Sequence, residues 1–304
     1  MKTDNHVAVI GGGTMGVGIA ASFCAGGWET HIVEPADAQA AAVPGKLRDC
    51  LDQLEASGCE DRLNVVAEIE DLPWDSITLV VEAVSENLEL KQAIFARAEA
   101  LSRPDCAITS NSSSYPISEI GKGLNSQNRM AGLHYFMPAH LIPLVEVVSS
   151  VHTDPEVAER LLDVMSALNK RPVLVKKDIP GFLANRIQHA LMREAIYMVE
   201  QGIASPEDVD AAVQLSFGIR YIGAGPLLQK DMSGLDVQNS AARRIYPDLC
   251  NASEPSPYMQ GLVADGHLGV KSGKGFFSWT SDQIAKQESR YKTALIKALQ
   301  IIRG

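Results

Sequence analysis

The stretch His6-Val7-Ala8-Val9-Ile10-Gly11-Gly12-Gly13-Thr14-Met15-Gly16-Val17-Gly18-Ile19, followed eighteen residues after Gly16 by Glu34, decides the fold. A short apolar run, glycines at 11, 13 and 16, and a segment of small residues read as strand, tight turn and packed helix. In that setting Gly11 permits the turn, Gly13 lets backbone N–H groups approach a pyrophosphate, and Gly16 allows the helix to pack closely. The helix opening at Thr14 and Met15 points its positive end at phosphate. Thr30 to Val33 forms the next strand, and Glu34 at its end is placed to accept hydrogen bonds from ribose hydroxyls and to repel a 2′-phosphate. Pro35 and Ala36 supply no arginine for such a phosphate. These residues predict a dinucleotide cofactor, NAD rather than NADP. The rival reading is a glycine-rich turn without nucleotide beside a solvated Glu34.

Working outward, 304 residues suffice for two domains, and 46% hydrophobic with 21% charged residues is an ordinary globular composition. A net charge of -10 excludes broad nucleic-acid or anionic-membrane binding, which need a basic footprint. A small-molecule substrate is expected instead. Cys24, Cys50, Cys59, Cys106 and Cys250 are odd in number and form no CxxC pair, so the reading is of reduced thiols in a cytoplasmic protein with no metal. No residue from Val7 to Trp28 is charged, as in a signal sequence or membrane span. Seven glycines from Gly11 to Gly27 oppose that reading, and strand, turn and helix account for the same residues.

Further short runs rich in Val and Ile, at Leu79 to Glu82, Ala107 to Ser110, Met130 to His134 and Val145 to Val148, alternate with helix-like segments. That alternation predicts an α/β Rossmann domain with a doubly wound, mostly parallel sheet. Val173 to Val175 is its last strand, and from Pro180 the pattern turns helical. Gly181 to Gly202 reads as one long helix, with Phe182, Ile187, Leu191, Ala195 and Val199 along one side. Ser205-Pro206-Glu207-Asp208 then opens another helix, with proline at its first position and acids in its first turn. The expected division is an NAD-binding domain over 1–180 and an all-α C-terminal domain over 181–304, serving substrate binding and homodimer formation.

His134 and Glu146 each fall in a strand-like run, twelve residues apart, and can meet across a turn. A carboxylate that fixes the imidazole tautomer and stabilises the imidazolium makes histidine a good general base for an alcohol. By spacing alone, a single histidine near a strand is more often one satisfied within the fold.

Five segments together resemble the L-3-hydroxyacyl-CoA dehydrogenase family. They are the glycine turn; Val81-Glu-Ala-Val-Ser-Glu86-Asn-Leu-Glu-Leu-Lys91; Thr109-Ser-Asn-Ser-Ser113-Ser-Tyr-Pro-Ile; His134-Tyr-Phe-Met-Pro-Ala-His-Leu-Ile-Pro-Leu-Val-Glu146; and Lys177-Asp-Ile-Pro-Gly-Phe-Leu-Ala-Asn185-Arg186. The C-terminal Gly269-Val-Lys271-Ser-Gly-Lys-Gly-Phe-Phe resembles the family's signature there. The resemblance implies His134 as base, Glu146 as its partner, and Ser113 and Asn185 as hydrogen-bond donors to the reacting oxygen. It implies Glu86 and Lys91 at the nicotinamide end, and Lys271 as a cofactor contact from the second domain. Hydride would leave the carbinol carbon for NAD while His134 takes the hydroxyl proton. Each residue alone has a plainer reading: any of Ser112, Ser113 and Ser114 can cap the next helix, Asn185 can be a polar contact, and Lys91 and Lys271 can be surface charges. The related β-hydroxyacid dehydrogenases share the glycine turn but use a lysine base, where this chain has Asn185 and Arg186.

Two departures separate the chain from the acyl-CoA members it resembles. Met137 precedes Pro138 where those members usually carry Asn, and Met cannot replace the hydrogen bonds of that residue. From Pro35 to Trp74, where they hold the CoA nucleotide on a lysine-rich arm, this chain carries only Lys46, Arg48 and Arg62 against at least seven acids. Phe217-Gly-Ile-Arg220-Tyr-Ile-Gly-Ala-Gly-Pro226 is more similar to the small-acid subgroup: carnitine dehydrogenase, L-gulonate dehydrogenase with lambda-crystallin, and a pyridine-carboxylate dehydrogenase. Arg220 is then expected to pair with a substrate carboxylate, a surface salt bridge being the equal alternative. The expected activity is reversible NAD-linked oxidation of a hydroxyl on a 3-hydroxy acid or related carboxylated substrate. The alternatives are a 3-hydroxyacyl-CoA substrate and a non-catalytic, crystallin-like role.

Overall fold

Strand β1 (His6–Ile10) carries Val7 and Val9 into one apolar cluster and Ala8 and Ile10 into another, so the sheet it belongs to is covered on both faces. The computed structural model describes residues 5–303. After β1 come α1 (Thr14–Ala25), β2 (Glu29–Val33), α2 (Asp37–Gln53), β3 (Leu63–Val66), β4 (Ile77–Glu82), α3 (Leu88–Leu101) and β5 (Ala107–Ser110). The short α4 (Ile117–Ile120), β6 (Met130–Tyr135), β7 (Leu144–Val148), α5 (Pro155–Ala167) and β8 (Arg171–Val175) complete the sheet. Its order is β3-β2-β1-β4-β5-β6-β7-β8, and every neighbouring pair is parallel except β6 with β7.

This topology positions the site twice over. Strand order reverses between β1 and β4, and in open α/β sheets ligands bind beyond the carboxyl ends of strands flanking such a switch point. The antiparallel β6–β7 pair sets His134 directly opposite Glu146 in the register. The loop joining these strands is pinned by Lys170, whose buried ammonium donates to the carbonyls of Ala139 (2.6 Å), His140 (3.0 Å) and Ile142 (3.1 Å).

The chain divides into two compact units, residues 1–186 and 187–304. The second is helical, containing most of α6 (Ala184–Glu200), then α7 (Pro206–Ala212), a π-helical stretch over Val213–Gly218, α8 (Pro226–Ser233), α9 (Leu235–Ile245), α10 (Pro257–Ala264) and α11 (Ser281–Arg303). Ser205 caps α7 by accepting from the Asp208 N–H, as its sequence predicts. Two expectations need correction. The helix expected over 181–202 spans 184–200, because Gly181 (φ 75°) and Phe182 (φ 45°) turn the chain before it starts. The segment after Glu34 contains a strand, β3, that the sequence reading passed over. Among the described residues no helix is long and apolar enough to cross a membrane.

Candidate active site

The turn between β1 and α1 is built as its glycines require. Gly11 sits at φ 113°, and a Cβ at Gly16 would lie 1.9 Å from the Gly11 carbonyl oxygen, so neither position accepts a side chain without moving backbone. A Cβ at Gly13 meets nothing within 4 Å, which marks the open side of the turn. No side chain caps the N-terminus of α1 and no acid lies in its first turn, which leaves those amides for an anion. Glu34 is buried at the end of β2; its Oε2 accepts from the Gly12 N–H (2.9 Å) and Gln39 Nε2 (2.7 Å), and its Oε1 from the Ala36 N–H (3.0 Å). An open anion-binding turn with a carboxylate fixed beside it fits a dinucleotide whose ribose 2′-hydroxyl is unphosphorylated.

Beyond the carboxyl ends of these strands an open cavity of about 330 Å³ is lined by Met15, Glu86, Lys91, Asn111, Ser113, His134, Met137 and Asn185, with Ala83, Val84, Tyr135 and Phe136. His134 and Glu146 are both buried, and His134 Nδ1 lies 2.8 Å from Glu146 Oε2. The second carboxylate oxygen accepts from the N–H groups of Leu183 (3.2 Å) and Ala184 (2.7 Å). The two oxygens thus face different partners. A carboxylate at Nδ1 favours the Nδ1–H tautomer and leaves Nε2 as the basic nitrogen toward the cavity. Phe136 and Phe182 pack their rings edge-on to the imidazole, with centroids 4.5 and 5.5 Å away.

The opposite wall is electrostatic. Lys91, at 1% exposure, cannot be the surface charge that its sequence alone allows. Its Nζ lies 2.8 and 3.0 Å from the two oxygens of Glu82 and 3.2 Å from Glu86 Oε2. Glu86 also accepts at Oε1 from Ser112 Oγ (2.6 Å), Ser114 Oγ (2.6 Å) and the Ser114 N–H (3.1 Å). Partial burial raises the Glu86 carboxyl, but the hydroxyls of Ser112 and Ser114 and the Lys91 ammonium outweigh it and bring the group down to about 2. Ser112 and Ser114 are therefore engaged with Glu86, whereas Ser113 is exposed and lines the cavity.

Of the residues expected from sequence, Met15, Glu86, Lys91, Ser113, His134 and Asn185 line one cavity, and Glu146 lies behind His134. Gly11, Gly13, Thr14, Gly16 and Glu34 form the neighbouring turn. Arg220 and Lys271 are exposed residues of the second unit. Met137 is 63% exposed and presents a thioether to the cavity. Sequence reading missed Glu82, Asn111 and Phe136. Asn111 Oδ1 accepts from the Tyr135 N–H (2.9 Å), fixing the strand next to His134. A charge ending the apolar run of β4 was the one local signal for Glu82.

Family models match nearly the whole chain: "3-hydroxyacyl-CoA dehydrogenase, NAD binding domain" over residues 6–179, and "3-hydroxyacyl-CoA dehydrogenase, C-terminal domain" over 181–279. The chain is 31% identical to 5-formyl-3-hydroxy-2-methylpyridine 4-carboxylate 5-dehydrogenase of Mesorhizobium japonicum, covering 98% of each. It is 35% identical to human mitochondrial hydroxyacyl-coenzyme A dehydrogenase, over 90% of this chain and 91% of that one. A solved structure of the pyridine-carboxylate enzyme, named an NAD+-dependent dismutase, superposes with a TM-score of 0.92 at 31% identity, covering 99% of both chains. The (S)-3-hydroxybutyryl-CoA dehydrogenase of Ralstonia eutropha gives 0.74 at 28% identity, covering 91% of this chain and 99% of its own. With a Rossmann unit, a turn built for NAD and these relatives, the chain belongs to the 3-hydroxyacyl-CoA dehydrogenase family and is an NAD-dependent oxidoreductase acting on CH–OH groups.

Proposed function

We propose that this enzyme oxidises, reversibly, a hydroxyl group on a small carboxylated substrate, with His134 as general base. The observation that carries the reading is the buried 2.8 Å contact of His134 Nδ1 with Glu146, which orients Nε2 into a cavity shared with Ser113 and Asn185. Bound NAD supplies the hydride-accepting chemistry. His134 takes the hydroxyl proton, Glu146 stabilises the resulting imidazolium, and Ser113 and Asn185 donate hydrogen bonds to the oxygen as its charge develops. Gly11, Gly13, Thr14, Met15, Gly16 and Glu34 hold the adenosine and pyrophosphate portions, Glu86 and Lys91 the nicotinamide end, with Lys271 as a further cofactor contact.

The carboxylated class is supported by the near-complete match in length and fold to a relative named for a pyridine carboxylate. It is also supported by α2 and its surroundings, whose three cations are few partners for the three phosphates of CoA. Arg220 is the proposed carboxylate partner: exposed, with a guanidinium fork suited to bidentate binding. The 35% identity to the human acyl-CoA enzyme favours a second reading, a 3-hydroxyacyl-CoA substrate. NADH formation with free hydroxy acids and carboxylated alcohols against short 3-hydroxyacyl-CoA thioesters separates the two. The first reading expects kcat/KM at least about tenfold higher for a free acid, and at least about tenfold loss in Arg220→Ala carried by KM. A thioester preference untouched by that substitution overturns it.

Residues 1–180 are proposed as the cofactor domain and 181–304 as the substrate and dimerisation domain. The helical unit exposes Leu215, Leu227, Met232, Leu235 and Tyr246, an apolar complement that suits a homodimer interface. All five cysteines are free thiols, which suits a reducing, cytoplasmic compartment.

A further inference from the structure

Glu82 ends β4 after the apolar Leu79-Val80-Val81 and is completely buried. A buried carboxylate is costly unless its oxygens are fully engaged. Here both are. Oε1 accepts from Lys91 Nζ (2.8 Å) and the Val84 N–H (2.7 Å), and Oε2 from Lys91 Nζ (3.0 Å) and Ser110 Oγ (2.5 Å). Ser110 Oγ accepts in turn from the Ser112 N–H (3.0 Å), which opens the turn presenting Ser113. One carboxylate therefore reaches the β4–α3 loop, the α3 lysine and the end of β5, three segments that enclose the same cavity.

We infer that Glu82 is a positioning residue that fixes the two walls of the active site relative to each other: Lys91 on the cofactor side and, through Ser110, the Ser113 turn on the substrate side. Its action on cofactor binding passes through Lys91. Without Glu82 the ammonium retains Glu86, which is 38% exposed and already shared with Ser112 and Ser114, and a long 3.5 Å contact with the Val84 carbonyl. The serine arm rests on the proposed role of Ser113, and the lysine arm on the proposed place of Lys91 at the cofactor.

The lysine arm is tested by titrating NADH fluorescence with Glu82→Gln, Lys91→Met and the double variant, alongside circular dichroism. Glu82→Gln is expected to raise the NADH Kd about tenfold. The double variant is expected to bind no more weakly than Lys91→Met alone, because both changes break one linkage. Wild-type affinity in Glu82→Gln, or losses that multiply in the double variant, overturns the inference. Should Glu82→Gln fail to fold with its stranded ammonium, the double variant, which removes that charge, against Lys91→Met decides the question: equal affinity supports the linkage, weaker affinity overturns it.

For the serine arm, Ser110→Ala is expected to keep the NADH Kd within about twofold while lowering kcat about tenfold, with Ser113→Ala measured in parallel. An unchanged kcat in Ser110→Ala beside an impaired Ser113→Ala overturns this arm. A wild-type kcat in Ser113→Ala overturns the role of Ser113 itself and leaves the NADH result to judge Glu82.

Discussion

Replacing Glu146 with Gln changes a single atom's chemistry at the centre of the site. The glutamine carbonyl oxygen can still accept from the Leu183 and Ala184 N–H groups, so the start of α6 keeps its anchor. The side-chain NH2 then faces His134 Nδ1, 2.8 Å away in the wild type, and two donors cannot share that contact. The imidazole relieves the clash by moving its proton to Nε2, the nitrogen required as base. Loss of the correct tautomer and of charge support for the imidazolium is worth about 10^3 to 10^4 in kcat, by the precedent of the serine-protease aspartate, or ~4–5.5 kcal/mol of activation free energy. Stability should change little, because the hydrogen bonds to α6 survive. Steady-state NADH formation combined with NADH affinity measures this. The expected result is a collapse of kcat at near wild-type Kd; full-rate turnover in Glu146→Gln would refute the dyad.

Three further outcomes follow from other parts of the site. Glu34→Ala removes the acceptor held by Gly12, Ala36 and Gln39, and should raise the KM for NAD about tenfold while narrowing the preference over NADP, read from kcat/KM for both cofactors. Gly16→Ala drives a methyl into the Gly11 carbonyl, and thermal unfolding should show Tm lowered by ~5 °C or more together with loss of NADH binding. Glu86 is depressed from an ordinary 4.5 to about 2 in the fold, so its contribution to stability is complete above the unfolded value and fades as pH falls toward 2. The Tm advantage of wild type over Glu86→Gln should accordingly shrink between about pH 6 and about pH 3; an advantage independent of pH contradicts the serine–lysine environment assigned to it.

The β1–α1 region was legible in the sequence because its determinants are local: a continuous apolar run for the strand, glycines where the turn and helix permit nothing larger, and an acid at the end of β2. Strand β3 was not, because Leu63–Val66 is four residues long, lies at the sheet edge and is only partly buried, so little apolar periodicity marks it. The helix start was misplaced because the positive φ values of Gly181 and Phe182 interrupt a pattern that reads as continuous. His134 and Glu146 could be paired from sequence only as a spacing. The antiparallel register of β6 and β7 turns that spacing into a contact. Lys91 was ambiguous for the same reason: its partner Glu82 is nine residues away, and the serines that engage Glu86 lie 26 and 28 residues beyond it. The serine linkages exist only once β4 and β5 are neighbours.

The most direct test of the central claim is His134→Ala, assayed in parallel for NADH binding and for oxidation of the best hydroxy substrate. A base that acts only on the reacting hydroxyl predicts an NADH Kd within about twofold of wild type and a kcat lowered by roughly 10^2 to 10^4. Turnover at the wild-type rate would contradict His134 as the base.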